Sequence, residues 1–114
     1  FEPFVSQKEL LDFPNIGTYG TFLIRCEDYL HYRIREKAGA FFDHGKREDA
    51  IRGMIESLKG LPSNLASEFL LADLFLKQHR NKEAFERLVS AEKYFPEEQS
   101  VKELIQQLNA YAIV

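Results

Sequence analysis

HYRIREKAGAFFDHGKREDAIRGMIESLKGLPSN (residues 31–64) and LASEFLLADLFLKQHRNKEAFERLVSAEKYFPEE (residues 65–98) decide the fold when one is laid over the other. At an offset of 34 residues, Ala38 falls on Ala72, Phe41 on Phe75, Ala50 on Ala84 and Pro62 on Pro96. Tolerant matches put Met54 over Leu88, Ser57 over Ala91 and Glu48-Asp49-Ala50 over Lys82-Glu83-Ala84. A period of this length marks a helix–turn–helix unit that stacks on copies of itself, because one hairpin cannot bury its apolar face alone. Such a chain reads as a surface for another protein rather than as a catalyst.

Within each unit the breakers set the helix ends. Asp43-His44-Gly45-Lys46 closes the first helix, with Gly45 free to take the left-handed conformation. The next helix runs from about Arg47 or Glu48 to Lys59-Gly60, and Pro62 stops the chain from continuing it. Ser63 or Asn64 can cap a third helix that reaches Gln78. His79-Arg80-Asn81 then makes the second turn, with Asn81 expected in the role of Gly45. A fourth helix ends at Tyr94-Phe95 before Pro96. Ala38, Ala72, Ala50 and Ala84 fit where paired helices cross most closely, and larger side chains there would overpack at about 1–3 kcal/mol.

Two flanking regions stand outside the repeat. Glu97–Ala112 reads as an amphipathic helix with Val101, Leu104, Ile105, Leu108 and Ala112 on one face, the terminal cap that a repeat stack needs. At the other end, Ser6-Gln7-Lys8-Glu9 is a capping-box pattern for a short helix Ser6–Asp12, and residues 15–20 read as a loop. From Thr21 the apolar positions Phe22, Cys26, Leu30, Ile34, Ala38 and Phe41 keep one helical period, predicting a single helix over Thr21–His44. Residues 1–30 are thus an N-terminal extension, of which residues 1–20 read as a segment folded against the first unit or as the tail of a preceding domain; residues 31–98 are two repeats, and residues 99–114 a capping helix.

Bulk properties narrow the function class. With 114 residues the chain makes one domain, and 45% hydrophobic with 29% charged residues is the balance of a globular protein. No apolar run approaches the ~18–20 residues that span a bilayer. A net charge of −3 disfavours general nucleic-acid binding, which needs a basic face. Cys26 stands alone, so no intramolecular disulfide forms, which fits a reducing compartment and a cytoplasmic location. The chain opens at Phe1 without Met and reads as an excised or processed piece.

The repeated residues resemble the tetratricopeptide repeat (TPR) family. That family favours small residues at repeat positions matched here by Ala38/Ala72, Ala50/Ala84 and Ser57/Ala91. It favours large apolar ones at Phe41/Phe75 and Met54/Leu88, and proline at Pro62/Pro96. Ile34 and Glu68 depart from a common aromatic, Lys37 from Leu, and Ala38 and Ala72 from a frequent Gly. The resemblance implies an all-α fold in which helical hairpins stack as a right-handed superhelix. It also implies a concave face, lined by the first helix of each unit, that takes a peptide or a partner helix.

On this sequence that face carries Tyr32, Arg35, Glu36, Gly39, Phe42 and Asp43 from the first unit. The second adds Ala66, Phe69, Leu70, Asp73, Leu76 and Lys77. The carboxylate clamp of chaperone-binding members requires Asn where Gly39, Leu70 and Asp73 stand, so that mechanism is rejected. What is left is an apolar groove of Tyr32, Phe42, Phe69, Leu70 and Leu76, edged by Arg35, Asp43, Asp73 and Lys77. The apolar segment Phe1–Tyr19 or the terminal helix is a competing occupant of it.

Catalytic and metal signals are weak. His44 and His79 sit at equivalent turns, His31 precedes the first of them, and none has a ligand partner at metal spacing, so all three read as surface residues. Cys26 lies on the apolar side of its helix without a neighbouring His, as a structural thiol does. Gly17-Thr18-Tyr19-Gly20 lacks the ending of a phosphate loop. Glu48-Asp49 and Glu97-Glu98 start helices, where they complement the dipole. Arg25, Arg33, Arg35 and Lys37 are interrupted by Glu27, Asp28 and Glu36, the pattern of a mixed solvated face.

The expectation is a non-enzymatic interaction module with no cofactor and no metal, binding a protein or peptide partner. Nucleic acid and membrane insertion are not expected. The alternatives are an accessory domain of a larger, possibly glycosyltransferase-like enzyme, and a homodimerisation module.

Overall fold

The computed structural model describes Phe4 and residues 20–110, with side chains from Asp28 onward. Among these residues the chain is all-α, with no strand. Five helices follow in order: α1 (Gly20–Asp43), α2 (Arg47–Leu58), α3 (Leu65–Lys77), α4 (Asn81–Tyr94) and α5 (Gln99–Ala110). The chain divides into two compact units, Phe1–Asn64 and Leu65–Val114. None of the described helices is long and apolar enough to cross a membrane.

In the first unit α1 pairs with α2. The unbroken apolar period from Thr21 gives α1 its 24 residues. Leu30, Ile34, Ala38, Ala50, Ile51, Met54 and Leu58 are buried. Ala38 and Ala50 are fully so, as small residues facing a paired helix must be.

The turn between α1 and α2 is a Schellman closure. Gly45 takes φ +83°, its N–H donates to Phe42 O at 3.1 Å, and Lys46 N–H donates to Phe41 O at 2.9 Å. After α2, two α1 side chains one turn apart hold the connecting segment. His31 Nε2 donates to the Pro62 carbonyl at 3.0 Å, and Arg35 Nη1 donates to Asn64 Oδ1 at 3.1 Å.

In the second unit α4 pairs with both α3 and α5. Leu71, Ala72, Leu74, Phe75, Ala84, Leu88, Ala91, Val101 and Leu108 are buried. Glu68 is only 6% exposed yet carries a carboxylate. Arg87 on α4 answers it with a forked pair, Nε to Oε2 at 2.5 Å and Nη2 to Oε1 at 2.9 Å.

The 34-residue offset is written in the backbone of each unit. α1 ends at Asp43 and α3 at Lys77, α2 begins at Arg47 and α4 at Asn81, and α3 begins at Leu65 and α5 at Gln99. The second turn repeats the first bond for bond: His79 N–H donates to Leu76 O at 3.0 Å and Arg80 N–H to Phe75 O at 2.9 Å. Lys46 Nζ lies 5.5 Å from the Phe41 ring centre, and the Arg80 guanidinium 4.8 Å from that of Phe75.

Two expectations are corrected. Asn81 does not take over from Gly45: it begins α4, and His79 is the residue at positive φ, +59°. The hydrogen-bond register decides this, since the left-handed residue must stand one position beyond the helix cap whatever its type. His31 is not a surface residue: it is 2% exposed, because its ring N–H satisfies the carbonyl of Pro62. The expected helix Ser6–Asp12, residues 15–19, the Cys26 side chain and Tyr111–Val114 lie outside the described residues.

Candidate functional site

In the first unit, Tyr32, Arg35, Gly39 and Phe42 recur at intervals of three and four residues and so share one face of α1. Tyr32 is 49% exposed, and its hydroxyl donates to the Glu36 carboxylate one turn on. That hydrogen bond, with the charge of Glu36, holds the Tyr32 phenol above its ordinary pKa. Arg35 is half-buried and spends part of its guanidinium on Asn64. Phe42 is half-buried with the Arg47 guanidinium 5.3 Å from its ring centre, and Asp43 is exposed. Apart from α1's own nearby backbone and Gly39's chain neighbours, no atom of the described residues lies within 4 Å of a Cβ placed on Gly39.

In the second unit the matching face of α3 carries half-buried Phe69, Leu70 and Leu76, and Ala66 is exposed. Asp73 and Lys77 pair with each other at 3.0 Å across one helical turn. Their side chains are 50% and 57% exposed. A pair so exposed contributes about 0–1 kcal/mol and leaves the face nearly neutral.

The residues expected at the groove therefore sit together within each unit, as apolar groups that are half-buried apart from exposed Tyr32, edged by charges of which Arg35, Asp73 and Lys77 have partners. This arrangement can offer apolar contact and hydrogen bonding. Among the described residues no cluster of His, Cys, Asp and Glu is placed to hold a metal ion. His44 and His79 are exposed at their turns.

No protein-family model, curated protein or solved structure matches the chain.

One participant escaped the sequence reading. Phe4, within the segment 1–20 expected either to fold against the first unit or to trail a preceding domain, is buried against Phe41 of α1. At 3.6 residues per turn, Lys37 lies about 160° around α1 from Arg35 and Gly39, and Phe41 about 120° from Arg35 and about 160° from Gly39. Phe4 thus occupies the far side of α1 from the groove residues. The other residues of 1–19 lie outside the described set. A signal was present in the repeat itself, where Lys37 and Ser57 stand in register with apolar Leu71 and Ala91.

Proposed function

We propose that this chain is a TPR-like interaction module. Its α1 and α3 faces bind a peptide or helix of a partner protein through Tyr32, Arg35, Phe42, Phe69, Leu70, Asp73, Leu76 and Lys77. The observation that supports this reading most is the recurrence of a whole turn at a 34-residue offset. Left-handed residue, paired backbone hydrogen bonds and a cation over an aromatic ring all repeat. A chain that repeats its backbone while varying the outer side chains of α1 and α3 is built as a scaffold, with its specificity in those side chains.

The test is selection of a random peptide library displayed on phage against the whole chain, followed by binding of the enriched peptides to Phe69→Ala and Leu76→Asp variants. Both residues are half-buried, so far-ultraviolet circular dichroism serves as the control for intact helices. The reading requires enriched peptides whose affinity falls at least about tenfold in both variants, the loss of one well-packed contact of about 1.4 kcal/mol or more. Failure to enrich any peptide, or enriched peptides indifferent to both changes, overturns it.

A further inference from the structure

Phe4 is held at three points by the first hairpin. Its ring meets Phe41 edge-on, with centroids 5.0 Å apart and planes at 70°. Its main-chain N–H donates to Ser57 Oγ at 2.6 Å, and its carbonyl accepts from Lys37 Nζ at 3.2 Å. The Ser57 hydroxyl donates its own proton to Gly53 O at 2.7 Å and accepts the Phe4 N–H through its oxygen. Ser57 is 1% exposed, so this acceptor is a buried and oriented group rather than a surface hydroxyl.

The second unit is the internal control. In register with Lys37, Phe41 and Ser57 stand Leu71, Phe75 and Ala91, all of them buried and apolar. The aromatic is kept, while the other two positions are polar only in the first hairpin. Those two side chains are the ones that bond the main chain of Phe4. A hairpin that needed only apolar cover here could keep Leu and Ala. Lys37 is exposed and reaches the Phe4 carbonyl with its ammonium, whereas Ser57 is buried and is tolerated there because its hydroxyl bonds both Gly53 O and the Phe4 amide.

We propose that Lys37, Phe41 and Ser57 form a recognition site for a phenylalanine within a peptide chain, of which this chain's own Phe4 is the resident ligand. The ring supplies apolar contact, and the Ser57 acceptor demands a main-chain N–H, so proline and N-alkylated residues are refused. The site lies on the far side of α1 from the groove and does not depend on the TPR-like reading. An intramolecular ligand competes at an effective concentration on the order of mM, so the site is closed to outside peptides while Phe4 is in place.

The test uses the full chain and a fluorescein-labelled peptide of residues 1–12, read by fluorescence anisotropy up to millimolar protein. The Phe4→Ala chain should bind the peptide at least tenfold more tightly than the wild-type chain does. Replacing the peptide's fourth residue by N-methylphenylalanine should weaken that binding at least tenfold. So should Ser57→Ala placed in the Phe4→Ala chain, a change to the residue that the second hairpin already carries in register. Circular dichroism identifies any variant that has lost its helices. If Phe4→Ala loses them, Phe4→Leu vacates the ring contact and takes its place. Equal binding to wild-type and vacated chains, no binding to either, or indifference to N-methylation overturns the proposal.

Discussion

His79→Gly and Gly45→Ala should change stability in opposite directions, although both alter the same step of the same turn. Gly45 and His79 stand one repeat apart, at φ +83° and +59°, and each closes its helix with the same pair of backbone hydrogen bonds. An L-residue in this region costs roughly 1–2 kcal/mol through its Cβ. Glycine avoids that cost but loses about 0.5–1 kcal/mol more chain entropy on folding. His79→Gly therefore stabilises by a net of about 0.5–1 kcal/mol, since the exposed imidazole gives up little. At Gly45 a Cβ would meet nothing within 4 Å, so Gly45→Ala carries the backbone term alone and destabilises by about 1 kcal/mol. For a chain of this size the two midpoints should move apart by roughly 6–8 °C. Urea titration followed by circular dichroism gives the free energies, and thermal melting gives the midpoints. Shifts of the same sign would show that side-chain contacts, not the left-handed backbone, govern these turns.

Three further outcomes follow from single contacts. Gly39→Ala should raise stability by about 0.5–1 kcal/mol in urea titration, because the site is mid-helix with empty space around the added methyl. Arg87→Ala should destabilise by about 3 kcal/mol and Glu68→Ala by clearly less, measured the same way. The asymmetry arises because Glu68 is 8% exposed at its side chain and would be stranded, whereas Arg87, at 32%, can turn to water. Glu83 should titrate below the ordinary carboxylate range when followed by NMR, and Arg80→Gln should return it there, because the Arg80 hydrogen bonds favour its charged form. With the folded pKa depressed, the pair's small stabilisation is present above the unfolded carboxylate's pKa and is lost as pH falls through the folded one.

The helices and their ends were legible because breakers and period agree: Gly45, Pro62 and Pro96 bound segments whose apolar residues keep one phase. At the second turn residue type and register point to different residues, since Asn is frequent at left-handed positions. Counting 34 from Gly45 leads to His79 instead. Nothing adjacent in the sequence marks the hydrogen-bond partners of His31 and Arg35. Their acceptors lie on Pro62 and Asn64, beyond a whole helix, where spacing along α1 carries no information. The Asp73–Lys77 pair of the groove, by contrast, is an i,i+4 contact and could be read directly. Glu68 was visible as a departure from an aromatic, but not its partner, because Arg87 sits across the hairpin on another helix.

The two hairpins share a backbone, so their differences in register say which side chains serve something beyond the fold. Ile34 and Gly53 of the first become Glu68 and Arg87 in the second, a change of both members at once. A buried carboxylate is admitted there only with its guanidinium, since an unpaired one costs several kcal/mol. Lys37 and Ser57 of the first correspond to Leu71 and Ala91, again polar in one unit and apolar in the other. No buried side-chain nitrogen or oxygen among the described residues lacks a hydrogen-bond partner, so Glu68 and Ser57, the buried members of the two exceptions, are satisfied, while Lys37 is exposed. They are satisfied from different places. The α3–α4 hairpin answers Glu68 from its own α4 and needs nothing outside itself. In the α1–α2 hairpin Ser57 donates to Gly53 O within α2, but Ser57 and Lys37 also bond the main chain of Phe4, 53 and 33 residues upstream of them. A polar pair whose partner comes from outside the hairpin is the arrangement of a ligand site, and it distinguishes the first unit from a simple copy of the second.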